Sequence, residues 1–238
     1  YLNDDNMVRW QLTDQNGTIL TYPIDMTIND GDLYLLDSGS LYRANLAALP
    51  AGGGILTATA VLTPGQTISD YPVKEIVAID GTAVTDAVFV LDKSNDIYRY
   101  QLSTGQWSLE LPLAREYQNP DPFYQNLSTY SERLYMLDPA RNQIWRHPAS
   151  DLPPEYFASK LPWLLEPGDP DVSSGLDLAI DGNIYVLSRD GSINSYAPAP
   201  LTSFAVESAE QRSLVAGLEQ TTTQPMAIMG SADEITLY

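Results

Sequence analysis

Hydrophobic and polar positions alternate with a period of two through four segments of one design. These are Leu33 to Leu46 (LYLLDSGSLYRANL), Val88 to Leu102 (VFVLDKSNDIYRYQL), Leu134 to Ala149 (LYMLDPARNQIWRHPA) and Ile184 to Ala197 (IYVLSRDGSINSYA). Each opens on a short apolar run, passes through a turn rich in Asp, Asn, Ser or Gly, and closes on an alternating run. That is the pattern of a β-hairpin. An apolar strand precedes each hairpin, at Ile24 to Ile28, Ile76 to Ile79, Leu127 to Tyr130 and Leu176 to Ile180. Another follows at Ile55 to Leu62, Trp107 to Leu111 and Ser203 to Val206. The anchor aromatics Tyr34, Phe89, Tyr135 and Tyr185 recur at roughly 50 residues, the length of a four-stranded propeller blade.

The pattern predicts an all-β chain, a β-propeller of four-stranded antiparallel blades forming a single domain over residues 1–238. Helical periodicity is confined to a weak stretch at Ala209 to Leu218, which excludes a helical solenoid. A two-sheet sandwich does not repeat one hairpin four times. Glu234 to Tyr238 (EITLY) reads as a second strand without its hairpin partner, and Met7 to Leu12 (MVRWQL) parallels the third-strand run IYRYQL. Joined, the two ends complete one more blade, so the expectation is five blades closed by strands from both termini. Closure of this kind hides sheet edges. A six-bladed ring with a missing blade is the alternative. Strand-like ends at Tyr1 and Tyr238 read as those of a fragment from a longer chain.

Charge narrows the partners. Among 238 residues, 31 acidic side chains face 12 basic ones, a formal charge of −19. Nucleic acid is excluded as a default partner, because phosphate contacts need clustered Lys and Arg. No apolar run approaches the ~20 residues that span a bilayer, so this segment predicts no direct membrane insertion. The chain has no Cys and one His, which excludes disulfides, thiolate metal sites and Cys nucleophiles. His147, beside a Pro at a strand end, reads as a packing or surface residue. Neither a G-x-S-x-G elbow nor a phosphate loop is present, and Ala51 to Gly54 (AGGG) reads as a flexible turn.

Three constellations carry candidate chemistry. Asp37, Asp92 and Asp138 end the first strand of their hairpins, while Arg9, Arg43, Arg99 and Arg146 share a column on the second. Where Ser188 replaces the Asp, Ser195 replaces the Arg, which predicts structural pairs Asp37–Arg43, Asp92–Arg99 and Asp138–Arg146 across the hairpins; an anion-reading Arg ring is the functional alternative. Counting back from the anchor aromatics places Asp25, Glu75, Asn126 and Asp177, with Met226 in the last unit, where innermost strands begin and line a central channel. Three carboxylates and an amide oxygen form a hard donor set suited to Ca²⁺, against the plainer reading of solvated channel residues. Finally, the Pro-rich stretches Leu111 to Tyr124 and Pro148 to Pro170 hold Tyr117, Phe123, Tyr124, Tyr156, Phe157 and Trp163. Aromatics in a polar frame suit a recognition surface, or else they fold back over the outer strands. Asn16-Gly17-Thr18 and Asn126-Leu127-Ser128 match the glycosylation sequon.

Gly175 to Ala197 (GLDLAIDGNIYVLSRDGSINSYA) resembles the repeat of NHL and SMP-30-type propellers, which run Gly-hydrophobic-Ala-hydrophobic-Asp and then Gly-Asn-hydrophobic-Tyr-Val. NQIWRHPA, its Pro-rich loop and AIDGNIYVL are similar to propeller segments fused behind serine/threonine phosphatase-like domains in membrane-anchored bacterial proteins. None of the phosphatase's aspartate motifs occurs here, so that activity is not carried over. The resemblance implies a sensory, binding or scaffold module outside the cytoplasm. On this reading the chain is a non-catalytic part of a larger protein and recognises a protein or small ligand through its loop face. The alternative is a lactonase-like hydrolase, since SMP-30-like lactonases hold one metal with a similar mixture of acidic and Asn ligands. Ca²⁺ at Asp25, Glu75, Asn126 and Asp177 is the cofactor that alternative implies.

Overall fold

The computed structural model describes residues 8–82, 86–112, 124–150, 157–158, 161–164, 171–196, 209–212, 228–231 and 234–237. Strand β1 (Trp10–Thr13) precedes the first blade, β2 (Pro23–Asn29), β3 (Asp32–Asp37) and β4 (Ser40–Asn45). The outer strand of that blade is interrupted at Ala58 into β5 (Gly54–Thr57) and β6 (Thr59–Leu62), and a short hairpin follows, β7 (Thr67–Ile68) and β8 (Tyr71–Pro72). The second blade is β9 (Ile76–Thr82), β10 (Ala87–Asp92), β11 (Asp96–Gln101) and β12 (Gln106–Pro112). The third is β13 (Asn126–Tyr130), β14 (Arg133–Asp138), β15 (Gln143–His147) and β16 (Leu161–Pro162). The fourth is β17 (Gly175–Ile180), β18 (Ile184–Ser188), β19 (Ile193–Tyr196) and β20 (Ala209–Arg212), and β21 (Ile228–Ser231) pairs with β22 (Glu234–Leu237).

Four sheets of four antiparallel strands result, each in chain order from the inside out, which is a β-propeller. The inner strands follow one another as β2, β9, β13, β17 and β21, each beside the next. All four hairpins lie where the alternating pattern places them. Two-residue turns with both residues at positive φ close β2–β3 (Asp30 and Gly31) and β3–β4 (Ser38 and Gly39), matching the right-handed strand twist. The stretch expected to show helical character begins instead with strand β20, which pairs along β19; the outer-strand candidate Ser203 to Val206 lies outside the described residues.

The two termini do not share a blade in the way the strand pattern suggested. β1 lies parallel to β5, with Trp10 opposite Gly54 and Leu12 opposite Leu56, while β22 pairs with β21. The AGGG turn is the physical reason. Gly53 has φ +92°, and a Cβ there would stand 2.6 Å from the Arg9 carbonyl oxygen. Gly54 N–H donates to that oxygen at 3.2 Å, Ala58 N–H donates to Thr13 at 2.8 Å, and the Trp10 indole donates to Pro50 at 3.1 Å. A partner some forty residues away also costs less loop entropy than one at the far end of the chain, by roughly 1 kcal/mol.

The core is a series of wedges between blades. Tyr34, Leu36, Ile76, Val88 and Tyr98 fill the first, and Phe89, Leu91, Ile97, Leu127 and Met136 the second. Leu137, Ile144, Leu178, Val186 and Tyr196 fill the third. The repeated aromatic anchor therefore belongs to packing. No helix among the described residues is long and apolar enough to cross a membrane.

Candidate functional site

The innermost strands carry aspartates that join one blade to the next. On β2, Asp25 accepts from its neighbour Met26 N–H at 2.8 Å with one oxygen and from Ile79 N–H on β9 at 2.9 Å with the other. On β9, Asp80 repeats the device, accepting from Gly81 N–H at 2.7 Å and from both the N–H and the hydroxyl of Thr129 on β13. Thr27 donates to the Gly81 carbonyl at 3.3 Å, and the Tyr130 hydroxyl donates to the Asp181 carbonyl at 3.3 Å. A short carboxylate suits the position, because one oxygen binds its own strand and the second reaches across the wedge. Asp80 was not singled out in the sequence, since its Asp-Gly pair reads as turn chemistry.

Register decides which of the proposed metal ligands meet. Opposite Leu36, Leu91, Leu137 and Leu187 of the second strands stand Asp25, Ala78, Asn126 and Asp177. Three of the four expected residues thus share one column, and Glu75 does not. It precedes β9, is exposed, and pairs with Lys93 at 2.6 Å. The count overshoots in this blade, since Glu75 lies three residues before Ala78, which the register places in the column. Among the described residues, no three Asp, Glu or His side chains are grouped to hold a metal. Met226 lies outside the described residues.

Burial sets the electrostatics of these aspartates. Desolvation pushes the Asp25 carboxyl well above its ordinary value, and the neighbouring Asp177 and Asp80 charges push it further; the Ile79 and Met26 N–H groups act the other way. Asp25 is only part-exposed on the channel wall, yet protein surrounds it closely. Asp80 and Asp92 are also raised, with desolvation again the first cause. Asp86 is lowered by its Ser103 and Gln101 hydrogen bonds, and Asp190 by Ser192. A carboxyl raised by folding binds its proton more tightly in the folded state, so its contribution to stability falls as pH rises through the raised value. One lowered by folding loses its contribution as pH drops below about 3.8. Thermal stability is therefore expected to increase as pH falls from the neutral range towards the ordinary carboxylate value of 3.8, as the buried aspartates take up protons. A melting temperature that falls steadily from pH 8 to pH 5 would contradict this assignment.

The hairpin Asp–Arg pairs do not form. Arg43 sits opposite Tyr34 and pairs with Asp32, its Nε 2.7 Å from the carboxylate; Arg99 pairs with Glu110 at 3.5 Å; Asp138 pairs with Arg141 at 3.2 Å. Arg146 stands opposite Tyr135. Asp37 faces Ser40 across the turn, three residues from Arg43, and residues an odd number apart point to opposite faces of a strand. The turn aspartates hold backbone instead. Asp37 accepts from Tyr22 N–H at 2.7 Å, and Asp92 from Lys74 N–H at 2.8 Å, in each case just before the inner strand. Arg43 and Arg99 are thus each engaged by a carboxylate of their own blade.

The described loop aromatics fold back against the blades. Phe157 is fully buried, its ring 4.9 Å from Phe89, and its N–H donates to Glu110 at 2.9 Å. Tyr124 is 3% exposed in the same wedge. Trp163 meets the edge of Tyr196 at 6.3 Å. Splayed blades leave gaps near the rim that these rings fill. Tyr117, Phe123 and Tyr156 lie outside the described residues. His147 is buried and donates through Nδ1 to the Ala158 carbonyl at 2.9 Å, a packing role.

A different surface is apolar. Of eight large hydrophobic residues exposed among those described, seven lie between Val8 and Ile55. Val8, Trp10, Ile19 and Ile55 occupy the β1–β5 appendage, and Tyr22, Ile24 and Ile28 lie on or just before β2. The sequence signal for this surface is the alternation in MVRWQL, which by itself points to ring closure.

These features define the chain as a β-propeller, and solved structures agree on that fold. It is similar to the nidogen/laminin complex structure, with TM-score 0.57 and 10% identity over 92% of this chain and 74% of that one. It is also similar to YCF48 bound to D1 peptide, with TM-score 0.50 and 13% identity over 90% of this chain and 58% of that one. A third is the extracellular domain of the putative one-component system BT4673 from B. thetaiotaomicron, with TM-score 0.50 and 14% identity over 96% and 28%. The chain thus spans well under two thirds of the length of the last two. No family model and no curated protein sequence matches it.

Proposed function

We propose that this chain is a non-catalytic propeller module that binds a protein partner through the β1–β5 appendage of its first blade, as part of a larger extracytoplasmic protein. The observation that carries the reading is the concentration of exposed apolar side chains there, with Ile55 60% and Ile19 46% exposed. Apolar groups clustered in this way on a polar, acidic surface mark interaction sites. The solved propellers of this fold include one in complex with laminin and one bound to a peptide. An extracytoplasmic setting and a sensory or scaffold role accord with the NHL-like repeat in GLDLAIDGNIYVLSRDGSINSYA and with the extracellular domain among the fold neighbours.

The test is capture from an extract of the source organism with immobilised wild-type chain and with Ile55→Asp and Ile19→Asp variants. A charge placed at a desolvated contact is expected to weaken binding about 100-fold. Both positions are exposed, so the melting temperature should move little. A partner retained equally by all three proteins would remove this surface from consideration.

A further inference from the structure

Strand β1 is fully paired along one edge only. Its parallel register with β5 turns the backbone of alternate residues toward that partner. The Arg9 carbonyl accepts from Gly54 N–H and the Thr13 carbonyl from Ala58 N–H, with Gln11 opposite Ile55 between them. Val8, Trp10 and Leu12 therefore turn their N–H and C=O groups the other way. On that side the Ile19–Leu20 segment covers only the far end of the strand. Leu20 N–H donates to the Leu12 carbonyl at 3.0 Å, and Thr13 bridges Ile19. The chain then leaves β1, and Tyr22 N–H donates to Asp37 at 2.7 Å. Among the described residues none bonds to the Trp10 N–H, the Trp10 carbonyl or the Leu12 N–H. This edge is apolar on both faces. Val8 and Trp10 lie on one and are exposed, while Ile55 and Ile19, the neighbours of Gln11 and Thr13, are exposed on the other. Lys or Pro commonly blunts such an edge, and β1 carries neither.

From this we infer that an extended segment of the partner adds as a strand along the free edge of β1. The inference rests on the reading of the β1–β5 appendage as the binding surface and specifies what fits it. In strand addition, main-chain bonds supply affinity and side-chain contacts supply choice. Trp10 offers a donor and an acceptor to one residue of the incoming strand, and Leu12 N–H offers a further donor. Apolar side chains on both faces of that strand match Val8 and Trp10 on one side and Ile19 on the other. Charge sets its flanks. Asp14 follows β1, Asp4 and Asp5 precede it in the sequence, and Arg9 is the one basic residue before Arg43. The occupant is thus a short extended apolar segment flanked by Lys or Arg. Self-pairing of two copies would bring a charge of −19 against its like, which opposes association.

The probe is a random library of strand-length peptides displayed on phage and panned on the immobilised wild-type chain. Enriched peptides are then synthesised and titrated. Strand addition predicts an apolar centre with Lys or Arg at the flanks. Trp10→Pro removes the outward N–H without touching a bond to β5, whereas Trp10→Ala keeps it; Pro is tolerated where an edge N–H faces solvent. Loss of that bond is expected to weaken such a peptide about ten-fold in Trp10→Pro relative to Trp10→Ala. N-methylating alternate amides of the peptide should weaken binding in one register and not in the other. That measurement leaves the protein unchanged and serves where circular dichroism shows Trp10→Pro to be unfolded. Peptides weakened by Ile55→Asp but indifferent to Trp10→Pro and to N-methylation would overturn strand addition and leave the surface standing. Peptides held equally by Trp10→Pro, Ile19→Asp and Ile55→Asp would overturn both together. A library that yields no enriched peptide would overturn strand addition alone. Wild-type dimers that grow with concentration and vanish in Trp10→Pro would overturn it in favour of a second copy.

Discussion

Phe157→Ala is expected to destabilise the protein by about 3–5 kcal/mol, the range for deleting a fully buried aromatic ring. For a chain of this size that lowers the melting temperature by roughly 10 °C. Phe157 has no exposed surface, stacks against Phe89, and anchors its segment through the bond from its N–H to Glu110. Its wedge is built from three distant parts of the chain, so the cavity has little freedom to collapse. Urea unfolding followed by fluorescence would measure the change, and Phe157→Leu should cost markedly less. A loss below about 1 kcal/mol would mean that the segment bearing Phe157 does not fill the gap between the second and third blades.

Asp92→Ala is expected to cost roughly 3 kcal/mol for a different reason. The Asp92 carboxylate is fully buried and accepts from Lys74 N–H and Ser94 N–H, each at 2.8 Å, from Asp96 N–H at 3.2 Å and from the Tyr98 hydroxyl at 3.5 Å. Truncation strands these donors in a place water does not reach readily. Burial alone opposes the charge and raises its pKa, and the hydrogen bonds are what hold the group there. The variant should also speed hydrogen exchange at the Lys74 and Ser94 amides while leaving the fourth blade protected. A protein as stable as wild type would show that the turn aspartate is replaceable by solvent.

The two substitutions mark the boundary of what could be read beforehand. Asp92 stood out in the sequence because it recurs with Asp37 and Asp138 at one point of the hairpin, yet its partner was mistaken. A column identifies a repeated role, but only register shows that Arg43 lies three residues beyond Ser40, the cross-strand partner of Asp37, and so on the opposite face. Phe157 stood out as a loop aromatic, and nothing local distinguishes an aromatic that meets a partner from one that fills a wedge. Glu75 illustrates a third limit. The count back from Phe89 runs three residues past the column position, which the register gives to Ala78.

Period-two alternation, turn chemistry and a repeat of roughly 50 residues determined by themselves that this chain forms propeller blades, because each blade's hairpins are local and their patterns survive in one dimension. The inner strands and the four hairpins followed from the same local information. Tertiary structure alone decided which side chains meet between blades: the Asp25 and Asp80 bonds to the next inner strand, the burial of Phe157, and the parallel seat of β1 on β5. The reason is that these contacts join segments about 50 residues apart, and their energy depends on wedge shape and close backbone approach, as at Gly53. The same reason moves the candidate recognition surface from the Pro-rich stretches, whose described rings Tyr124, Phe157 and Trp163 pack against the blades, to the β1–β5 appendage, where Ile19 and Ile55 are exposed.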